Sequence, residues 1–178
     1  RVPHTRLSWH YRSQHDALIA FSNFAFYDGE LMTVPAMRDE MAPIGLSPDD
    51  PQRYLRWVHV EDASYESGVN LKEAARAAQL LHDSLRSCPE ESVGIITFNT
   101  SQRDAVLDAI DALRATNPSF SELYDAASQL PMDRRPFVKS IENVQGDERD
   151  SIFFSLGHCA VPRKGRAGSE LRVPARFG

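Results

Sequence analysis

A chain of 178 residues, 42% of them hydrophobic, is long enough to bury one core. No apolar stretch in it approaches the roughly 18–20 residues that a membrane-spanning helix requires, and the N-terminus lacks a signal-peptide pattern. The net charge of −5 withholds the basic footprint of a nucleic-acid-coating domain, and Cys88 and Cys159 stand too far from other thiols or histidine pairs for a disulfide framework or a zinc site. A reducing compartment, the cytoplasm, is the expected location.

In chain order, residues 7–9 are expected as a short strand. Ser13 is the expected N-cap of a helix running to about residue 27, with Leu18, Ile19, Phe21 and Ala25 on its apolar side and Asp28-Gly29 turning the chain at its end. Pro35, Pro43, Pro48 and Pro51 argue against any regular element across 34–53, which reads as one long loop within a single domain covering 1–178. Residues 54–60 carry the β-branched and aromatic content of a strand. Asn70 followed by Glu73 predicts a capping box, and Leu71, Ala74, Ala78, Leu81 and Leu85 predict an amphipathic helix.

The continuous apolar run 93–98 predicts a strand buried on both faces. Thr100 or Ser101 is expected to cap the next helix, which carries Val106, Ile110 and Leu113 on one stripe. A short helix at 120–130 and strands at 137–141 and 151–156 follow. Strands alternating with helices imply βαβ units, so the expected class is α/β, a mostly parallel sheet with helices on both faces. Residues 158–178 read as an irregular tail, with Arg163, Lys164, Arg166, Arg172 and Arg176 against Glu170 alone.

Ligands of such sheets gather in the loops beyond the strand ends, and three polar clusters fall at strand junctions. His10-Tyr11-Arg12-Ser13 places Arg12 just before a helix N-terminus, where a guanidinium suits either phosphate oxygens or an ion pair with Asp16. Thr97, Asn99 and Gln102 bring hydroxyl and amide groups to another helix start, which suits either capping or contacts to a sugar–phosphate backbone. Ser140 opens the third cluster, in which Gly146 permits a tight turn and Glu148 could accept hydrogen bonds from ribose hydroxyls; a charged hairpin is the alternative. The sequence contains no GxxxxGK[ST] phosphate loop, no apolar run ending in paired acids for magnesium, and no GxSxG elbow. By itself the chain can offer at most one wall of a nucleotide site.

The segments LSWHYRSQHDALIAFSNFAFYDGEL, VGIITFNTSQRDAVLDAI and VKSIENVQGDERDSIFFSLG, in that order, resemble the second RecA-like domain of superfamily 1 helicases. The nearest branch is the one containing the nonsense-mediated-decay helicase and its bacterial relatives, and the likeness runs from about residue 6 to residue 157. The resemblance implies a RecA-like three-layer sandwich without a phosphate loop. It assigns Arg12 the catalytic contact to the γ-phosphate and Tyr11, Gln145, Gly146 and Glu148 the contacts to nucleotide. Thr97, Asn99, Gln102 and Ser140 take the contacts to nucleic acid, and no residue binds metal.

The implied activity is that of an ATP-dependent helicase or translocase using ATP and Mg2+, with the Mg2+ ligands outside this sequence. The implied partners are single-stranded nucleic acid, DNA favoured over RNA, and a first RecA-like domain of the same parent chain. The chain opens without a methionine and stops short of the family's motif VI, so it is expected to be an excised and, alone, inactive piece. The alternative reading is a RecA-like module that binds a nucleotide or a partner without catalysis.

Overall fold

A parallel β-α-β unit opens the structure: β1 (Trp9–His10), α1 (Ala17–Phe26) and β2 (Met32–Thr33), with Trp9 opposite Met32 and His10 opposite Thr33. The computed structural model describes residues 8–11, 13, 16–33, 54–162 and 169–171, the last three and 160–162 by backbone only. The chain divides into two units, Arg1–His59 and Val60–Gly178.

In the first unit, Asp28 and Gly29 take positive φ angles of 55° and 75°, which reverses the chain directly after α1, as the Asp-Gly pair predicts. Asn23 fastens that reversal: its side-chain amide donates to the Leu31 carbonyl and its side-chain oxygen accepts from the Leu31 N–H, each at 3.0 Å. Ser13 does not cap α1. The helix begins at Ala17 with Asp16 at its N-cap, and Ser13 instead meets His10 Nε2 through its hydroxyl (2.6 Å) and its N–H (2.9 Å). The 34–53 loop lies outside the described residues. Residues 54–60 form no strand, because β-propensity is realised only where a neighbouring strand completes the ladder.

The second unit holds α2 (Leu71–Ser87), β3 (Val93–Thr97), α3 (Thr100–Thr116), α4 (Pro118–Ser128), β4 (Phe137–Ser140), a 3-10 turn (Ile141–Asn143) and β5 (Ser151–Ser155). The strands form one parallel sheet in the order β4-β3-β5, with Thr97 opposite both Ser140 and Ser155. β3 is buried along its whole length, as its continuous apolar run predicts for a central strand. Helix starts follow side-chain caps: Asn70 accepts from the Glu73 N–H, Asn99 from Gln102 and Asn117 from Phe120. Asn99 therefore replaces the expected Thr100 or Ser101 as cap of α3.

One sheet face carries Val93 and Ile95, which join Ala74, Ala78, Leu81 and Leu85 of α2, Val106 and Ile110 of α3, and Phe120 of α4 in a single core. All three helices of this unit lie on that face. Across the other face runs the 141–150 connection from β4 to β5, touching Lys139 and Phe137 through Asp147 and Arg149. Residues 158–178 are not wholly irregular: β6 (Ala160–Pro162) and β7 (Ser169–Leu171) form an antiparallel pair. The basic residues between and after these two short strands obscure their pattern in the sequence.

Gly94 is a packing requirement. A Cβ there would stand 2.5 Å from Phe137 Cζ and 2.9 Å from Ile152 Cδ1, in a sheet where neither neighbour can step aside easily. Gly94→Ala is expected to lower stability by about 1–3 kcal/mol, read as a reduced urea midpoint; an unchanged midpoint would contradict this packing.

Candidate nucleotide and nucleic-acid site

The carboxyl edge of the sheet ends in a row of hydroxyls, Ser140, Thr97 and Ser155, set side by side by the strand register. All three are buried, at 1%, 0% and 3% exposure. Thr97 Oγ1 donates to the Asn99 carbonyl at 2.8 Å, Ser140 Oγ accepts from Asn143 Nδ2 at 2.9 Å, and Ser155 Oγ donates to Glu73 Oε1 at 2.9 Å.

Gln102 sits behind this row with no exposure. Its Nε2 donates to the Asn70 carbonyl and to Ser155 Oγ, both at 3.1 Å, and its Oε1 accepts from the Asn70 N–H at 2.7 Å. The amide thus joins the starts of α2 and α3 to the end of β5. Glu73 extends the cluster by accepting from the Gly157 N–H (3.0 Å) and from Asn70 Nδ2 (3.2 Å). Asn99 donates through Nδ2 to the Gly68 carbonyl at 3.1 Å, on a tight turn in which Ser67 and Gly68 take φ of 52° and 87°.

These contacts occupy the side chains of Thr97, Gln102 and Ser140, three of the residues expected at the nucleic acid. Their side chains are enclosed and hydrogen-bonded within the domain, and withdrawal of the Gln102 amide would strand the buried Asn70 N–H. Asn99 is half-buried and engaged as cap and turn clamp. The exposed hydroxyl-bearing residues beside them are Thr100 and Ser101, in the first turn of α3.

The other candidates lie on the crossover. Gln145, Gly146 and Glu148 are all exposed, and Gly146 takes φ of 88° with no heavy atom within 4 Å of where a Cβ would stand. They do not directly follow a strand end as expected. Because β4 and β5 are parallel, the chain must return from the carboxyl edge to the amino edge, and Glu148 lies near the end of that return.

Two clamps hold the route. Lys139 Nζ meets Asp147 Oδ2 at 2.6 Å, and Asp150 Oδ2 accepts from the Ser92 N–H (2.8 Å) and hydroxyl (2.6 Å). The hydroxyl bond from Ser92, then its backbone N–H, holds the Asp150 carboxyl below its ordinary value of 3.8. In the first unit Tyr11 is 86% exposed, and Arg12 lies outside the described residues.

The sequence shows Glu73 only as half of a capping box, offers Arg149 as a partner for a nearby Asp where it bonds to three backbone carbonyls instead, and gives no sign of Ser155. The partners of Ser155 and Gly157 on Glu73 are 82 and 84 positions away, so no local pattern announces them.

Comparison with known proteins agrees with this architecture. An AAA domain family matches residues 1–169. The chain is 36% identical over 155 residues to an uncharacterized ATP-dependent helicase, MG140, of Mycoplasma genitalium, covering 86% of this chain and 13% of that protein. The homologous helicase of Mycoplasma pneumoniae gives 36% identity over 156 residues, with the same coverage. The chain therefore spans about an eighth of the length of these relatives.

Gln102→Ala is expected to destabilise the chain by about 2–4 kcal/mol, since it leaves a cavity and strands the buried Asn70 N–H; thermal or urea unfolding measures this, and a stability-neutral result would contradict the structural role. Asp150 stabilises the folded chain at pH above the ordinary carboxylate value, and that contribution fades as pH falls through its lowered folded value. The stability difference between wild type and Asp150→Asn is therefore expected to be constant near neutral pH and to shrink below about pH 4, whereas a gap that widened in acid would refute it.

Proposed function

Because the chain belongs to the AAA domain family, which it matches over residues 1–169, we propose that it is the second RecA-like motor domain of a superfamily 1 ATP-dependent helicase. Its nearest kin on this reading are in the nonsense-mediated-decay helicase branch, and the whole of 1–178 belongs to that one domain. The observation that carries the proposal is the crossover: an exposed Gln145-Gly146-x-Glu148 segment, clamped at Asp147 and Asp150 and laid across a parallel sheet.

These residues suit a nucleotide. Gly146 leaves open space beside the backbone, and an exposed carboxylate at Glu148 can accept hydrogen bonds from ribose hydroxyls, whereas it would repel a phosphate. ATP supplies the free energy of stepping, with Mg2+ held by residues of a first motor domain elsewhere in the parent. On the first unit, Tyr11 offers an exposed ring to nucleotide and Arg12 neutralises charge developing on the transferred phosphoryl group, a role worth about 10³–10⁵ in rate.

Single-stranded nucleic acid, DNA in preference to RNA, is the proposed track. With Thr97, Gln102 and Ser140 enclosed, contact falls to the exposed Thr100 and Ser101 and to backbone N–H groups of the first turn of α3. The cytoplasm is the proposed compartment. No helix among the described residues is long and apolar enough to cross a membrane.

Arg12→Ala in the full-length helicase is expected to cut ATP turnover by about 10³-fold or more while nucleotide binding persists; a near-wild-type rate would overturn the assignment. The 178-residue chain alone is expected to lack ATPase activity and to bind single strands weakly, with affinity falling steeply between low and physiological salt. Tight, salt-insensitive binding or turnover by this chain would favour the alternative of a self-sufficient module.

A further inference from the structure

The guanidinium of Arg149 makes an unusual set of bonds. Nε donates to the Arg135 carbonyl at 3.0 Å, Nη2 to the Met132 carbonyl at 2.9 Å, and Nη1 to the Glu148 carbonyl at 2.6 Å. The same group lies 4.8 Å from the centroid of the Phe137 ring, within cation–π range. Each of these three acceptors is a backbone carbonyl. Two belong to the segment leading into β4, and the third is on the crossover, immediately before Arg149 itself.

A cation engaged in this way fixes backbone geometry. The rigid, planar fork has donors pointing in three directions, so the Glu148 carbonyl cannot rotate without breaking a bond to a group already held by two others and by the ring. Holding that carbonyl fixes the peptide plane on the C-terminal side of Glu148, and with it the direction in which the Glu148 side chain leaves the chain. The Phe137 ring fills the space that a side chain at Gly94 of the buried central strand would need. The chain of contacts therefore runs from the sheet core, through an aromatic ring and a guanidinium, to the backbone of one exposed carboxylate.

We propose that Arg149 is a positioning residue that aims Glu148 at the nucleotide sugar, a role that rests on the reading of Glu148 as the ribose contact. Lysine would keep the charge, but its three donors radiate from one nitrogen on a flexible stem and cannot span carbonyls of two segments. A charge-only role and a positioning role thus separate at Arg149→Lys.

The test uses the full-length helicase and compares kcat/KM for ATP with that for 2′,3′-dideoxy-ATP. The wild type is expected to prefer ATP by about ten- to a hundredfold, the range of a hydrogen bond to a charged group. Glu148→Ala is expected to abolish the preference. Arg149→Lys is expected to bring it within about threefold of unity through a higher KM for ATP, the KM for the dideoxy substrate staying near the wild-type value.

If Glu148→Ala loses the preference and Arg149→Lys keeps it, the positioning role is wrong and the ribose contact stands. If Glu148→Ala keeps the preference, the ribose reading fails and the inference fails with it. Should Arg149→Lys not fold, Phe137→Leu decides the matter: it removes the ring beneath the guanidinium while retaining apolar bulk. A reduced sugar preference in that variant supports the inference, and an unaltered one overturns it.

Discussion

Two parallel strands flanking a third impose a return journey on the chain between them. Leaving β4 at Ser140, the backbone must come back along the length of β3 and cross two strand spacings before it can enter β5 at Ser151. At about 3.3 Å per residue along a strand and about 4.8 Å between strands, the two ends stand roughly 16 Å apart. Residues 141–150 would use their whole length, about 15 Å, if they were helical, with nothing left to climb onto the sheet face and return, and a helical crossover between parallel strands takes about a dozen residues or more. The connection is therefore a short 3-10 turn followed by irregular backbone. Such backbone needs side chains to hold it, and Lys139 on Asp147, Arg149 on three carbonyls and Ser92 on Asp150 supply that hold.

That constraint separates two regions with different chemistry. At the carboxyl edge of the sheet, the polar groups of Ser155, Gln102, Asn70 and Glu73 satisfy one another inside the domain, while Thr97 bonds to the Asn99 carbonyl and Ser140 to Asn143. A network of that kind joins helix starts to strand ends and makes the edge stiff. On the crossover, the polar groups of Gln145 and Glu148 face outward from a backbone held by its neighbours. A rigid edge and a fixed but exposed segment are what a motor domain needs if nucleotide is to be sensed at one place and the response transmitted through the sheet.

Much of this was legible in the sequence wherever the deciding interaction is local. The central strand announces itself by the unbroken apolar run from Val93, and α2 by Asn70 and Glu73 three residues apart. The reversal after α1 follows from Asp28 and Gly29. Reading failed where the partner is remote. Nothing near Gln102 reveals that its amide is enclosed between Asn70 and Ser155. Ser13 resembled a cap until His10 claimed it, and residues 54–60 have a strand's composition without a strand to pair with. The placement of Glu148 depended on the sheet order, which sequence alone does not specify.

The central claim is that the clamped crossover is the nucleotide-facing wall of this domain. Amide hydrogen exchange of the full-length parent protein, with and without a non-hydrolysable ATP analogue, tests it without altering a residue. The account predicts slowed exchange on nucleotide binding across 144–150, with the buried strand Val93–Thr97 already protected and unchanged. Exchange across 144–150 that is indifferent to saturating nucleotide would contradict it.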